Sequence, residues 1–410
     1  MKKLMSIAFA TALAFGSVCI PVNAQETTVI NTVEKNPSDW IDGSFTSLQN
    51  GIENAYTGEL YHGDTTFIAL AKIANGLSEE QLKTNEVKDI PLVQEKLNDV
   101  RTFAQDVEKM IMLVEAYGYD ASAYEMNGEN INLYQKLSDM ELSSTNDYTF
   151  ALEALHSGNY IPEKGSKLDQ NQLIMNLIAL RNPADHAWNY NGNYSGDYGS
   201  SDTDTTAMVL TALAPYYTQS ETITGISKET KAAVTKAVDE GFAYLKNFQD
   251  ETGAMKSLWA AGNSNTTAMT ILMVAAYGKD FNTEFVVNGN TLMDGLMSFA
   301  LDDKSGFGYT DNHVLNDLGT EQAVYALITY KNAKVGIPYD FYQAGSIINE
   351  DRFNAQKPSK EPEMPQQKEE PQNKPKESEP VIKDTSSMNM SLFGLVLLAS
   401  TGLVVIRKKA

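Results

Sequence analysis

The chain has one cysteine, Cys19, and four histidines, and its 32 basic residues are outnumbered by 53 acidic ones. Cys19 lies in an apolar run that follows Lys2 and Lys3 and ends at Val22, Asn23 and Ala24. That arrangement reads as a secretory signal peptide over residues 1–24, so the exported chain is expected to carry no thiol. Disulfides, thiolate metal sites and cysteine nucleophiles are then excluded. His62, His156, His186 and His313 are scattered without the paired spacing of a metal site. The net charge of −21 makes nucleic acid and anionic lipid poor partners. No stretch alternates apolar and polar residues in the manner of a half-buried strand.

The C-terminal part is unlike the rest. Residues 355–387 are rich in Pro, Glu, Lys and Gln with few apolar side chains, and read as a disordered, extended spacer. Residues 388–406 form an apolar run followed by Arg407, Lys408 and Lys409. This is the pattern of a transmembrane anchor with a basic cytoplasmic tail, residues 407–410. The layout resembles that of sortase-anchored proteins, but "EPVIKDTSS" stands where Leu-Pro-x-Thr-Gly would be. The expectation is an exported protein at the cell surface, held in the plasma membrane, with a degenerate sorting motif.

Residues 25–354 carry an internal repeat. "DVEKMIMLVEAYGYD" from Asp106 aligns with "TTAMTILMVAAYGKD" from Thr266, and similar segments start at Asp64, Asn146, Thr205 and Gly319. Each has a polar start and then an almost wholly apolar run, the signature of a capped helix buried on all sides. Amphipathic segments precede them, from Ser44, Pro91, Ile131, Leu168, Ser227 and Asn290. Six outer–inner helix pairs predict an all-α fold, either an open solenoid or a closed α6/α6 toroid. The number six and the all-round burial favour closure.

The loops before the later inner helices combine a glycine, an aromatic residue and a polar run. Tyr244, Leu245, Gln249 and Gly253, with Met255 in the tryptophan place, resemble the prenyltransferase and squalene-cyclase repeat. Gly306-Phe307-Gly308 and Ala187-Trp188 are similar. The resemblance implies the terpenoid-cyclase α6/α6 toroid, and the chain is most similar to the secreted Gram-positive surface proteins of that superfamily. Against the family's Asp-x-Asp-Asp-Thr-Ala cyclase motif, this chain has Asp202, Thr203, Asp204, Thr205, Thr206 and Ala207. The zinc-binding cysteine of protein prenyltransferases is missing. The Cys-Gly-Glu-Gln motif of thioester domains is reduced to Glu321 and Gln322.

Two readings of function stay open. In the first, Asp202 caps a helix and Asp204 and Glu321 are first-turn polar residues. The protein then binds a small molecule, glycan or surface protein without catalysis. Its ligand would meet a rim of Trp188, Tyr190, Tyr198, Trp259, Asn263, Tyr309, His313, Asn316 and Asp317. No metal and no cofactor are expected, apart from a cobamide-type ligand that the resemblance brings into view. In the second, Asp202, Asp204 or Glu321 serves terpenoid, prenyl or glycan-cleaving chemistry at the toroid mouth.

Overall fold

A computed structural model describes residues 36–343, except 55–56, 98, 100, 197–198, 221, 259 and 334–337. The expected signal peptide, spacer, transmembrane helix and basic tail lie outside these residues. Among the described residues no helix is long and apolar enough to cross a membrane.

The described chain is mostly helical. Six amphipathic or short helices are α1 (Ile41–Asn50), α3 (Glu79–Leu97), α5 (Leu133–Ser138), α7 (Gln170–Ala179), α9 (Lys228–Lys246) and α11 (Leu292–Met297). Between them run α2 (Thr65–Gly76), α4 (Ala104–Ala116), α6 (Thr145–Ser157), α8 (Thr203–Thr218), α10 (Ser264–Ala276) and α12 (Asp317–Asn332). The even-numbered helices match the six apolar repeats. Their side chains dominate the core, and every residue of α10 is buried. Ala, Leu, Met and Ile supply most of that surface without asking for hydrogen bonds.

The packing follows the repeat. α2 packs on α4, α4 on α6, α6 on α8, α8 on α10, α10 on α12, and α12 on α2. Among the outer helices, α5, α7, α9 and α11 each lie against the even-numbered helix before them, α1 lies on α12, and α3 touches both α2 and α4. Five of the six even-numbered helices start at an Asp, Asn or Ser whose side chain accepts first-turn amides. α4 starts instead at Phe103, whose own amide is taken by Asp106.

Two expectations need correction. The second outer helix does not begin at Pro91: it begins at Glu79 and runs through Pro91, which lies on its exposed face. Three short antiparallel hairpins also exist: β1–β2 (Ile52–Glu53 with Leu60–Tyr61), β3–β4 (Tyr124–Met126 with Glu129–Ile131) and β5–β6 (Val286–Val287 with Asn290–Thr291). They are too short to show a period-2 pattern. Two of them turn at Asn127-Gly128 and Asn288-Gly289, with positive φ at all four residues, as a type I′ hairpin turn requires.

After α12 the chain folds back inward. A single 3-10 turn, Phe341–Gln343, packs against α2, α4 and α6. Phe341 stacks on Tyr325 of α12, and Tyr342 meets Phe67 of α2 and Phe150 of α6 edge-on.

Candidate functional site

The first turns of the six buried helices meet at one end of the fold. Lys109 of α4 pairs with Asp64, the cap of α2, at 2.7 Å. Gln105 of α4 donates to Asp147 of α6. The backbone of Asn146, in α6, bonds that of Tyr190 in the loop before α8. Thr266 of α10 donates to Asp204 of α8, and the Ser264 amide of α10 donates to the carbonyl of Tyr309, in the loop before α12. Glu321 of α12 accepts the amide of Asp64. Consecutive buried helices therefore begin side by side, which puts the positive ends of their dipoles together. The carboxylates of Asp64, Asp147 and Asp202 are well placed against that field.

Three of the leading loops share one atomic pattern. Trp188, Met255 and Phe307 are each fully buried. Their amides donate to the hydroxyls of Thr206, Thr267 and Thr320, at 3.1, 2.9 and 3.0 Å. Their carbonyls accept from the amides of Asp202, Asn263 and Asn316, which are the caps of α8, α10 and α12. Each cap side chain then accepts an amide three residues on. Asp202 thus occupies a place that two neutral asparagines fill elsewhere in the same chain. Its carboxylate also takes the Thr205 hydroxyl at 2.7 Å, and so points back onto its own helix.

Asp204 is different. Its equivalents two residues past the other caps are Asn265 and Leu318. Its carboxyl crosses to α10 and accepts the Thr266 hydroxyl. Burial, followed by the charge of Asp202, pushes it up to about 8, so it holds its proton at neutral pH.

Glu321 is a buried junction. It accepts the hydroxyls of Tyr61 and Tyr325 and the amide of Asp64. Burial pushes the carboxyl up while the two tyrosine hydroxyls pull it back. Tyr61 belongs to the first hairpin, and Asn54 of the same hairpin donates to Asp317 at 2.7 Å. Hairpin β1–β2 is thereby fastened over the start of α12.

The structure separates the expected rim residues. Tyr190 is exposed, His313 is exposed with a positive φ, and Tyr309, Asn316 and Asp317 are half-buried. Trp188 is not on a rim: it is fully buried and its indole N–H donates to the Leu177 carbonyl. Asn263 is likewise fully buried, its side chain spent on capping α10. Both were drawn to the rim by residue type, while the local pattern uses them to seat the loop. Tyr198 and Trp259 lie outside the described residues. Among the described residues no group of three or more His, Asp or Glu is arranged to hold a metal ion.

A second polar group, absent from the sequence reading, lies deeper. Glu153 of α6 faces Asp340, and both carboxyls are pushed up, first by burial; Asp340 reaches about 6. One oxygen of each, together with the Tyr216 hydroxyl, has no hydrogen-bond partner. His156, one turn along α6, is held neutral by burial, which lowers it to about 4, and its Nδ1 lies 2.7 Å from the Gln343 side chain. On α4, both carboxyl oxygens of the fully buried Glu108 also lack a partner. The available signal was a lone glutamate inside an apolar run, in "FALEALH" and "DVEKMIML". No protein-family model matches the chain, and no curated protein matches it.

Proposed function

We propose that this chain is a cell-surface binding protein. A toroid of the terpenoid-cyclase type stands on the spacer, held by the C-terminal anchor, and takes its ligand on the loops leading into the inner helices. The packing of α12 on α2 supports the closed arrangement over the open solenoid. The observation that carries the binding reading is the placement of Phe341 and Tyr342. These two buried side chains occupy the space between α2, α4, α6 and α12. Both rings fill that space, so no ligand enters it without displacing them. The loop end is left as the surface where a ligand can be met. Mass spectrometry of molecules that copurify with the chain tests the proposal: a ligand lost on altering these loops supports it, and a ligand retained by such variants overturns it.

The enzymatic reading rests on one observation. Asp204 stores a proton at neutral pH, as an acid that protonates an alkene or a glycosidic oxygen must. Asp204→Asn decides it. Under this reading a turnover of polyprenyl or glycan substrate disappears while the melting temperature holds. Under the binding reading no such turnover exists to lose.

A further inference from the structure

The loops that lead into the buried helices share a feature that no helix cap explains. Leu60, Phe103, Tyr190, Leu258, Val314 and Leu318 are between 39% and 69% exposed, large apolar side chains left in water. Each sits where a buried helix starts. Leu60 precedes the α2 cap, Phe103 begins α4, and Tyr190 is hydrogen-bonded to the first turn of α6. Leu258 follows Lys256, whose carbonyl takes the Thr203 hydroxyl at the start of α8. Val314 and Leu318 flank the α12 cap. A shallow cleft of about 440 Å³, lined by Asn247, Lys256 and Ser257 as well as Phe248, Leu258 and two alanines, opens beside Leu258. Six of the twelve exposed large apolar side chains among the described residues thus belong to this end, and apolar surface rimmed by polar residues is what an interaction site offers.

The charges between them point to the occupant. Glu53, Glu59, Asp99, Glu141 and Asp311 are exposed in these loops. Of the described cations there, Arg181 is paired with Glu240 and Lys304 with Asp39, which leaves Arg101 and Lys256 against that acidic set. Four of the six apolar side chains are aliphatic and give a sugar ring no flat face to stack on. An anionic bilayer is repelled by the carboxylates. We infer that this end docks a cationic amphipathic peptide segment of a partner protein, its apolar side chains on the exposed Leu, Val and Phe residues and its Lys or Arg groups on the carboxylates between them. The inference rests on the proposed function, which puts binding at this end.

The test is a fluorescence titration of the full chain with a labelled peptide made of Lys and Leu, and with a Glu and Leu counterpart. The Lys peptide binds the chain and the Glu peptide does not. The triple variant Phe103→Ser, Leu258→Ser, Val314→Ser weakens binding at least about tenfold. The control Val87→Ser, Leu92→Ser, on exposed residues of α3, leaves it unchanged. Equal binding of the two peptides, equal loss in the control, or no loss in the triple variant overturns the inference. If the triple variant sheds a copurifying neutral ligand but holds the Lys peptide as before, the peptide class fails while the binding end stands. If it changes neither, both fail.

Discussion

The two polar regions of this fold are built on opposite terms. At the loop end four acids anchored at the helix starts each have a partner: Asp64 holds Lys109, Asp202 holds Thr205, Asp204 holds Thr266, and Glu321 collects three donors. In the interior, Glu153, Asp340, Tyr216 and Glu108 keep oxygens with no partner. The first region gains from helix dipoles and donors aimed at it. The second keeps its carboxyls in the uncharged form because burial disfavours the ion, as it also does at Asp204 in spite of its donor. Partnered acids add to the stability of the place they occupy. Acids raised by burial weaken it as the pH rises.

The largest effect expected lies beside the interior region. Phe341 is almost fully buried and stacks on Tyr325, so Phe341→Ala should cost about 4 kcal/mol in urea unfolding. A loss below about 1 kcal/mol would show that the segment 339–343 is only loosely seated. Next comes the loop end. Glu321→Ala leaves two tyrosine hydroxyls and one amide without their acceptor, at a cost of about 3 kcal/mol. Glu153→Leu sharpens the contrast: it removes a buried carboxyl with an unpartnered oxygen but also the hydrogen bond that lowers Asp340, so at pH 8 it should cost under about 1 kcal/mol, less than Glu321→Ala. If both substitutions destabilise equally, the two regions do not differ in kind.

Stability should also fall as the pH rises from about 6 to 9, by something on the order of 2 kcal/mol. The sign follows from the direction of the shifts. Asp340 at about 6, Asp204 at about 8, and Glu153 and Glu108 above their ordinary values all bind protons more tightly when folded. Their stabilising contribution is complete below the unfolded carboxylate range and is lost as the pH climbs through these values. His156, lowered to about 4, works the other way, but only below about pH 6.5, where the unfolded imidazole gains a proton. Thermal melts should fall less steeply up to about pH 8 in Asp204→Asn, and an unchanged profile in that variant would remove Asp204 from the account.

Periodicity made the scaffold legible. Six apolar runs became α2, α4, α6, α8, α10 and α12, because a helix buried all round must be apolar all round. The start of α3 is hidden by Pro91, because a proline inside a helix gives up a backbone hydrogen bond and so reads as a helix start, and here the helix carries that loss. Two of the three hairpins are set by Asn-Gly turns, which outweigh any period in strands of two or three residues. The site was less legible. Trp188 and Asn263 have the residue types of a binding rim, and only the hydrogen bonds to Leu177, Thr206 and Thr266 show that they seat loops. Glu153 and Asp340 are far apart in sequence, and the inward turn after α12 that joins them has no local signal.

The smallest predicted effect separates charge from shape at Asp202. The α10 and α12 modules place Asn263 and Asn316 where α8 has Asp202, and all three side chains accept the amide three residues ahead. Asp202→Ala removes the acceptor and should cost about 1 kcal/mol. Asp202→Asn keeps an acceptor oxygen and gives up only the charge. That charge gains from the start of α8 but also raises Asp204, so the two contributions offset each other. Asp202→Asn should therefore unfold within about 0.5 kcal/mol of the parent chain, with Asp204 titrating at a lower pH. If Asn costs as much as Ala, the charge itself holds α8 in place, and the equivalence of the three modules stops at their backbone bonds.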